Sequence, residues 1–471
     1  MTNKYVRLAS NTGIVFLGNA GSKLLVFLML PFYTRYFSPQ EYGVFDLIVT
    51  YATMFLGVAT CQIQDAIFVF PKDEPRHRQA AYFTSGLLFL GFMYILVALV
   101  FVALYHLLPE RVFLRKHLWL ILGYLLLSGA QAYLQQFSRS IDKMVTFALS
   151  GVMFTFGTAA LALFLIPRHP HGSTLIYANY GGLLLGIATS FLGAKMWRYF
   201  TFAWSLRLDL RPLLRYSLPL IPTGIMWWAF SCLNRPILER YASLAAVGIF
   251  AVGLTLPSIL NTGWSVIGVA WQISVLEECK KDDFTRFYNR FLDFLFAGAG
   301  CLVIALTIAS PYVMKFLVAP EYYQAWRLVP MLSLGAMFSI SAGAVGAVFA
   351  AAKKSKYFLY SSLCSLTGVV ILNFLLIPVW GVVGAAVANL SALMLEFVVR
   401  ASCATKFVAF HDVRQKLVLW ILTAGSVGVS YAITRPVPRA VVCALFLFGL
   451  LIWMIVHLRE AFALIGKRHE V

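Results

Sequence analysis

The stretch LMLPFYTRYFSPQEYGVF, residues 28–45, returns 205 residues later as LNRPILERYASLAAVGIF, residues 233–250. Leu28, Pro31, Arg35, Tyr36, Ser38, Gly43 and Phe45 meet Leu233, Pro236, Arg240, Tyr241, Ser243, Gly248 and Phe250 without a gap. Further matches carry the echo along the chain: Lys72-Asp73 with Lys281-Asp282, Ile166-Pro167 with Ile377-Pro378, and Ala178-Asn179 with Ala388-Asn389. The offset drifts only between 205 and 211 residues, so the repeat unit is about half the chain. The plainer alternative is a turn grammar of Tyr, Ser and Gly that hairpins reuse independently.

Composition decides what is being repeated. Of 471 residues, 61% are hydrophobic and 12% charged, and the mean hydropathy is +0.80. That much apolar surface does not fit inside a water-soluble domain. Apolar stretches of about 20 residues, each enough to cross a hydrocarbon core as a helix, recur at 8–31, 41–66, 81–108, 118–138, 144–166, 174–194, 213–236, 242–276, 287–309, 325–352, 357–377, 381–404, 416–434 and 440–458. The expectation is an all-α polytopic membrane protein of about fourteen transmembrane helices. A repeat of six helices restores the same direction, which makes the halves parallel repeats. The expected division is an N-terminal six-helix bundle over 1–194, an interfacial linker over 195–212, a C-terminal bundle over 213–404, and helices 13 and 14 with a tail over 405–471.

Basic residues set the direction. With the N-terminus in the cytoplasm, 26 Lys and Arg fall in, or at span ends beside, cytoplasmic breaks and tails and 11 in or beside external breaks, with Lys23 deeper inside a span. This asymmetry puts both termini in the cytoplasm. The net charge of +19 then faces anionic lipid, and nothing groups it into a nucleic-acid module. The first apolar segment is too long for a cleavable signal and reads as an anchor. Seven cysteines lie singly, without disulfide or zinc spacing, and His169 and His171 are solvated loop residues before they are metal ligands. P-loop, HExxH and GxSxG motifs are absent from the sequence. No cofactor is expected.

Polar residues inside spans mark candidate function, because a charge at the bilayer centre costs about 2.5 to 3.5 kcal/mol on insertion scales. Lys23 follows Asn19 by four residues on nearly one face of the first span, and such an ammonium suits a phosphate or pyrophosphate. Snorkelling to the interface or pairing with a carboxylate is the alternative. Thr53, Thr60 and Gln64 fall at i, i+7 and i+11 of the second span, with Gln62 and Asp65 beside them. That stripe suits sugars, a proton path or ordinary interhelical bonding, and Asp65 is a candidate coupling carboxylate. Pro219 and Pro222 are expected to bend the seventh span, with Asn234, Arg235 and Arg240 near its outer end. Trp264 and Trp271 could stack on sugars or simply pack. Glu396 and Arg400, at i and i+4, read as a structural ion pair. The repeat breaks where Lys23 meets Trp228 and Asp65 meets Ala270.

The segment RLASNTGIVFLGNAGSKLLVFLMLPFYTRYFSPQEYGVFDL, with YSLPLIPTGIMWWAFSCLNRPIL, AAVGIFAVGLTLPSIL and LIPVWGVVGAAVANLSA, resembles bacterial polysaccharide flippases. These are the O-antigen type of lipid-linked oligosaccharide translocase in the multidrug/oligosaccharidyl-lipid/polysaccharide exporter superfamily. The resemblance implies two six-helix bundles in a V around a cationic cavity. It also implies transfer of undecaprenyl-pyrophosphate-linked oligosaccharide from the inner to the outer leaflet of the cytoplasmic membrane, with a polysaccharide polymerase complex as a possible partner. Members commonly carry Asp-Arg where this chain has Asn234-Arg235, which moves attention for ion coupling to Asp65. Candidate substrate contacts are Lys23, Asn19, Arg235, Asn234, Gln64 and Trp271. A multidrug cation antiporter, a lipid II flippase, and a glycan polymerase or ligase remain alternatives.

Overall fold

The computed structural model describes Gly18 and residues 21–201, 206–279, 281–352, 354, 356–433 and 435–466. Among these residues every regular element is helical. The chain forms two compact units, residues 1–236 and 237–471.

The first unit holds α1 (21–36), α2 (Pro39–Ala59), α3 (Ile63–Val69), α4 (Arg76–Leu107), the short α5 (Phe113–Lys116), α6 (Leu118–Ser140), α7 (Met144–Leu165) and α8 (Gly172–Gly193). A 3-10 turn (Met196–Tyr199), α9 (Leu206–Ser217), α10 (Ile221–Cys232) and the start of α11 (Asn234–Tyr241) complete it. The second unit continues with α12 (Leu244–Gly253), α13 (Ser258–Glu278), α14 (Phe284–Leu317), α15 (Val329–Ala351), α16 (Lys356–Ala404), α17 (Val413–Ala432) and α18 (Pro436–Gly466). Thirteen of the fourteen expected spans fall on described helix, some of it interrupted, and of the first, 8–31, only Gly18 and residues 21–31 are described. Among the described residues nine helices are long and apolar enough to cross a membrane unaided, or ten if the bent pair Leu244–Gly253 and Ser258–Ser265 counts as one. The protein is a polytopic membrane protein.

The repeated phrase has one physical cause in both places. α1 ends at Tyr36 and α11 at Tyr241, and the next helix begins directly after a capping serine. Ser38 Oγ accepts from the Glu41 amide at 3.3 Å, and Ser243 Oγ from the Ala246 amide at 3.1 Å. Each satisfies a backbone donor that a helix start leaves open. Gly43 and Gly248 are both buried one turn on.

Packing is by small residues and by paired aromatics, as expected where lipid supplies no hydrophobic contrast. Met29, Tyr33 and Phe37 of the first hairpin bury against Ala159, Ala162, Leu175 and Ala178 of α7 and α8. A methyl added at Gly182 would sit 2.5 Å from the Phe154 carbonyl, so only glycine permits this approach of α8 to α7. Ser150 Oγ donates to the Gly186 carbonyl and accepts from Ser190 across the same pair. On α4, Leu88, Phe92, Ile95 and Leu99 form an exposed apolar stripe at helical spacing, the lipid-facing side of a span.

In the second unit, Trp420 stacks on Phe338 at 4.2 Å between centroids, Lys416 pairs with Asp293 at 2.8 Å, and Arg400 pairs with Glu396. Arg400 also donates to Ser361 Oγ at 3.1 Å and the Ala342 carbonyl at 3.2 Å, so this i, i+4 pair is a well-bonded structural element. α16 is two helices joined at Gly381, whose φ of 55° and ψ of −128° suit glycine alone. Ser365 Oγ then reaches the Ala392 carbonyl at 2.8 Å, closing the hairpin.

Candidate functional site

The second expected span, 41–66, is not one helix. α2 stops at Ala59, Cys61 and Gln62 take left-handed φ values of 47° and 52°, and α3 starts at Ile63. Such a conformation costs an L-residue about 1–2 kcal/mol and persists where the surroundings fix it. Here they do. Ile63, Ala66 and Ile67 are wholly buried in a cluster with Phe83, Tyr133 and Phe137, and the Gln62 amide sits against α10, where a methyl on Gly224 would lie 2.1 Å from its Nε2. Backbone bonds from Cys61 to Val58, Ile63 to Thr60 and Asp65 to Gln62 reclose the break, as a membrane interior requires.

This break corrects the expected stripe. Thr53 donates to the Val49 and Thr50 carbonyls and Thr60 to Leu56, all at 2.9 Å and all within α2 or its cap. Gln64 belongs to α3, and its Nε2 donates to Gln62 Oε1 at 2.5 Å. The Gln64 Oε1 is buried without a hydrogen-bond partner among the described residues. Asp65, half-buried beside it, makes no ion pair among the described residues.

α10 binds α2 through a row of contacts. Trp228, buried, donates Nε1 to the Thr50 carbonyl at 3.0 Å. Just past the end of α10, at the start of α11, Arg235 Nε lies 2.6 Å from Asp46 Oδ2, with the two side chains 13% and 19% exposed. Arg235 Nη1 also donates to the Ser231 carbonyl at 3.1 Å and approaches Asn234 Oδ1 at 3.5 Å. A lone buried guanidinium would cost several kcal/mol, whereas a carboxylate and carbonyl around it offset most of that. Asp46 of α2 thus neutralises the Arg235 guanidinium. Sequence reasoning passes over Asp46 although the signal is present: it is an acid inside an apolar span, which calls for a named partner.

The other candidates are dispersed. Lys23 is exposed on α1, off the face that buries Met29 and Tyr33. No hydrogen bond or ion pair ties it to the α2–α10 seam among the described residues. Asn19 lies outside the described residues. Trp271 is 2% exposed, stacks on Phe291 at 3.7 Å and donates to the Ala344 carbonyl at 2.9 Å. Its side chain is thus covered by protein in this structure. Among the described residues no group of three or more His, Cys, Asp or Glu could hold a metal.

A family model described as polysaccharide biosynthesis protein matches residues 8–271. Among solved structures, the chain is similar to the lipid II flippase MurJ in an inward closed conformation, with a TM-score of 0.71 and 14% identity over 95% of this chain and 99% of that one. It is also similar to a multidrug resistance MATE family transporter of the MOP superfamily in an inward-facing conformation, with a TM-score of 0.62 and 12% identity over 88% and 98%. A point mutant of the Vibrio cholerae MATE transporter VcmN gives 0.55 and 14% over 85% and 96%. These likenesses describe the fold. A search of curated sequences finds no match.

Proposed function

We propose, for a chain that belongs to the polysaccharide biosynthesis protein family, that it is a flippase moving undecaprenyl-pyrophosphate-linked oligosaccharide from the cytoplasmic to the outer leaflet of the inner membrane. The family match bears out the resemblance drawn from the first-span and seventh-span motifs. The single observation that carries the reading is that this match covers the whole α2–α10 seam, in a fold shared with a protein named a lipid II flippase. The product would serve surface polysaccharide synthesis, as O-antigen, capsule or exopolysaccharide. A polysaccharide polymerase complex is the partner expected to receive it.

The chemistry asked of the protein is physical. A polyprenyl tail stays in lipid while a diphosphate and sugars cross, so no bond forms or breaks and no cofactor is called for. The obstacle is charge in a low-dielectric layer. Arg235 answers it by exchange: the diphosphate replaces Asp46 as the partner of the guanidinium, so a buried cation is never left bare. Asn234 orients the guanidinium, and Gln64, through its carbonyl oxygen, accepts from sugar hydroxyls. Lys23, exposed on α1, meets the diphosphate first. The division into bundles 1–194 and 213–404 rocking as a secondary-type transporter, with both termini cytoplasmic, is part of the same proposal.

The test is reconstitution in liposomes with a fluorescent polyprenyl-diphosphate oligosaccharide, measuring how fast the sugar becomes reachable from the opposite leaflet. Protein-dependent flipping is expected, slowed at least tenfold by Lys23→Ala and by Arg235→Ala at normal expression. If both variants keep full rate, the cationic mechanism is wrong. A second reading, a cation antiporter, is favoured by Asp65, which has no ion-pair partner among the described residues, and by the MATE likenesses. Efflux of organic cations without glycolipid flipping, abolished by Asp65→Asn, would establish it.

A further inference from the structure

A shallow open groove of about 420 Å³ runs along α9, lined by Leu210, Arg211, Leu214 and Arg215. It lies apart from the α2–α10 seam and no role described above uses it. The helix beneath it is firmly held. Leu213 is wholly buried and Leu210 packs against the same cluster, which also contains Ile63, Ile67, Phe137 and Met196. The Tyr216 ring meets Phe70 edge-on at 5.9 Å. With that face committed, Arg211 and Arg215 stay exposed.

The neighbouring 3-10 turn is anchored in the same cluster through Met196 and Tyr199. Thr84 Oγ1 donates to the Tyr199 carbonyl and accepts from the Thr201 amide, both at 3.1 Å. Arg76 lies over the Tyr199 ring at 5.6 Å. Around this corner Lys195 and Arg198 are exposed, interleaved with Trp197 and Phe200, which are 47% and 44% exposed. Residues 195–215 carry five Lys and Arg against the single acid Asp209, and Asp73 and Glu74 sit on the adjoining α3–α4 turn. Cations mixed with half-exposed aromatics are what a segment at headgroup depth requires.

We propose that this groove is a binding site for an anionic phospholipid, the phosphate held between Arg211 and Arg215 and an acyl chain lying along Leu210 and Leu214. The i, i+4 spacing sets the two arginines one turn apart, within reach of one phosphodiester, and guanidinium forks match phosphate oxygens better than ammonium groups do. The leucine pair repeats the same spacing on the next row, so the groove offers an apolar lane beside a cationic one. Free phosphate would leave that lane empty, and a zwitterionic headgroup would bring its own cation against the arginines. The charge balance of the corner selects an anionic lipid of the cytoplasmic leaflet.

The test is native mass spectrometry of the full chain released from detergent with phosphatidylglycerol, phosphatidylcholine or a polyprenyl diphosphate added at equal concentration. The expected result is phosphatidylglycerol retained at least fivefold over phosphatidylcholine. Retention should fall at least fivefold in R211Q/R215Q and by a smaller factor in R211K/R215K, which preserves charge but not the guanidinium fork. R215Q alone gives the same reading, at smaller amplitude, if the double variant does not fold. Equal retention of phosphatidylglycerol by the wild type and the glutamine variants overturns the site. So does retention of the polyprenyl diphosphate in preference to phosphatidylglycerol, which would make the groove a loading point for the transported lipid. None of these readouts depends on flipping, so failure of the proposed function leaves them interpretable.

Discussion

Arg235 and Asp46 lie 2.6 Å apart and mostly buried, and their chemistry is asymmetric. Removing the acid leaves a buried guanidinium without its carboxylate, which typically costs about 3–5 kcal/mol, whereas replacing both partners by neutral groups costs far less. Asp46→Asn is therefore expected to lower the thermal midpoint of the detergent-solubilised protein clearly. Asp46→Asn/Arg235→Gln should recover most of the loss, with fluorescence-detected thermal unfolding as the readout. If the double variant is as unstable as the sum of the single variants, the pair is not the source of the cost. Arg235 is legible in the sequence from the family resemblance and from its place at a span end. That Asp46 needs a partner is legible as well; that the partner is Arg235 is not, because 189 residues separate the two and no local pattern links them.

Elements are legible wherever a local rule fixes them. The seven-residue echo foretells two like hairpins, and Ser38 and Ser243 cap the second helix of each. What periodicity misses is the break at Cys61 and Gln62, because neither residue type favours left-handed backbone and the cause is tertiary: the notch that Gly224 opens for Gln62. The two close approaches differ in what stands in the way. At Gly182 an added methyl meets the Phe154 carbonyl at 2.5 Å and the Thr158 amide at 2.8 Å, both backbone. At Gly224 it meets only the far end of the Gln62 side chain. Overpacking of this kind costs about 1–3 kcal/mol. Gly182→Ala is expected at or above the top of that range and Gly224→Ala at the bottom, the latter relieved by Gln62→Ala. Equal losses in unfolding measurements would mean that α7 and α8 separate freely.

For the whole molecule, hydropathy alone gives the class, an all-helical polytopic membrane protein, while among the described residues nine or ten helices are long and apolar enough to cross unaided, because several of the fourteen expected stretches are broken, bent or merged. Orientation rests on the charge asymmetry of 26 against 11 Lys and Arg. Cysteine labelling in intact cells checks it. In a background lacking the seven native cysteines, His169→Cys is expected to react with an impermeant maleimide from outside, and Lys195→Cys only after permeabilisation. The reverse pattern would invert the protein and move the α9 groove to the opposite leaflet. Candidate sites are the least legible level: whether Trp271 stacks on a sugar or packs stays open in the sequence, because a buried stacking partner such as Phe291 leaves no trace in spacing.

The span of the Asp46–Arg235 pair also sets a timetable for biogenesis. A ribosome working at about 5–20 residues per second needs roughly 10 to 40 s to make the 189 residues between them. For that interval α2 has left the ribosome with an acid whose cation does not yet exist. The nascent chain must hold Asp46 near the headgroups or leave it in the insertion machinery until α11 arrives. The last closure of the first unit is thus a late event, and a chain stalled before residue 235 would present an uncompensated acid for quality control to recognise.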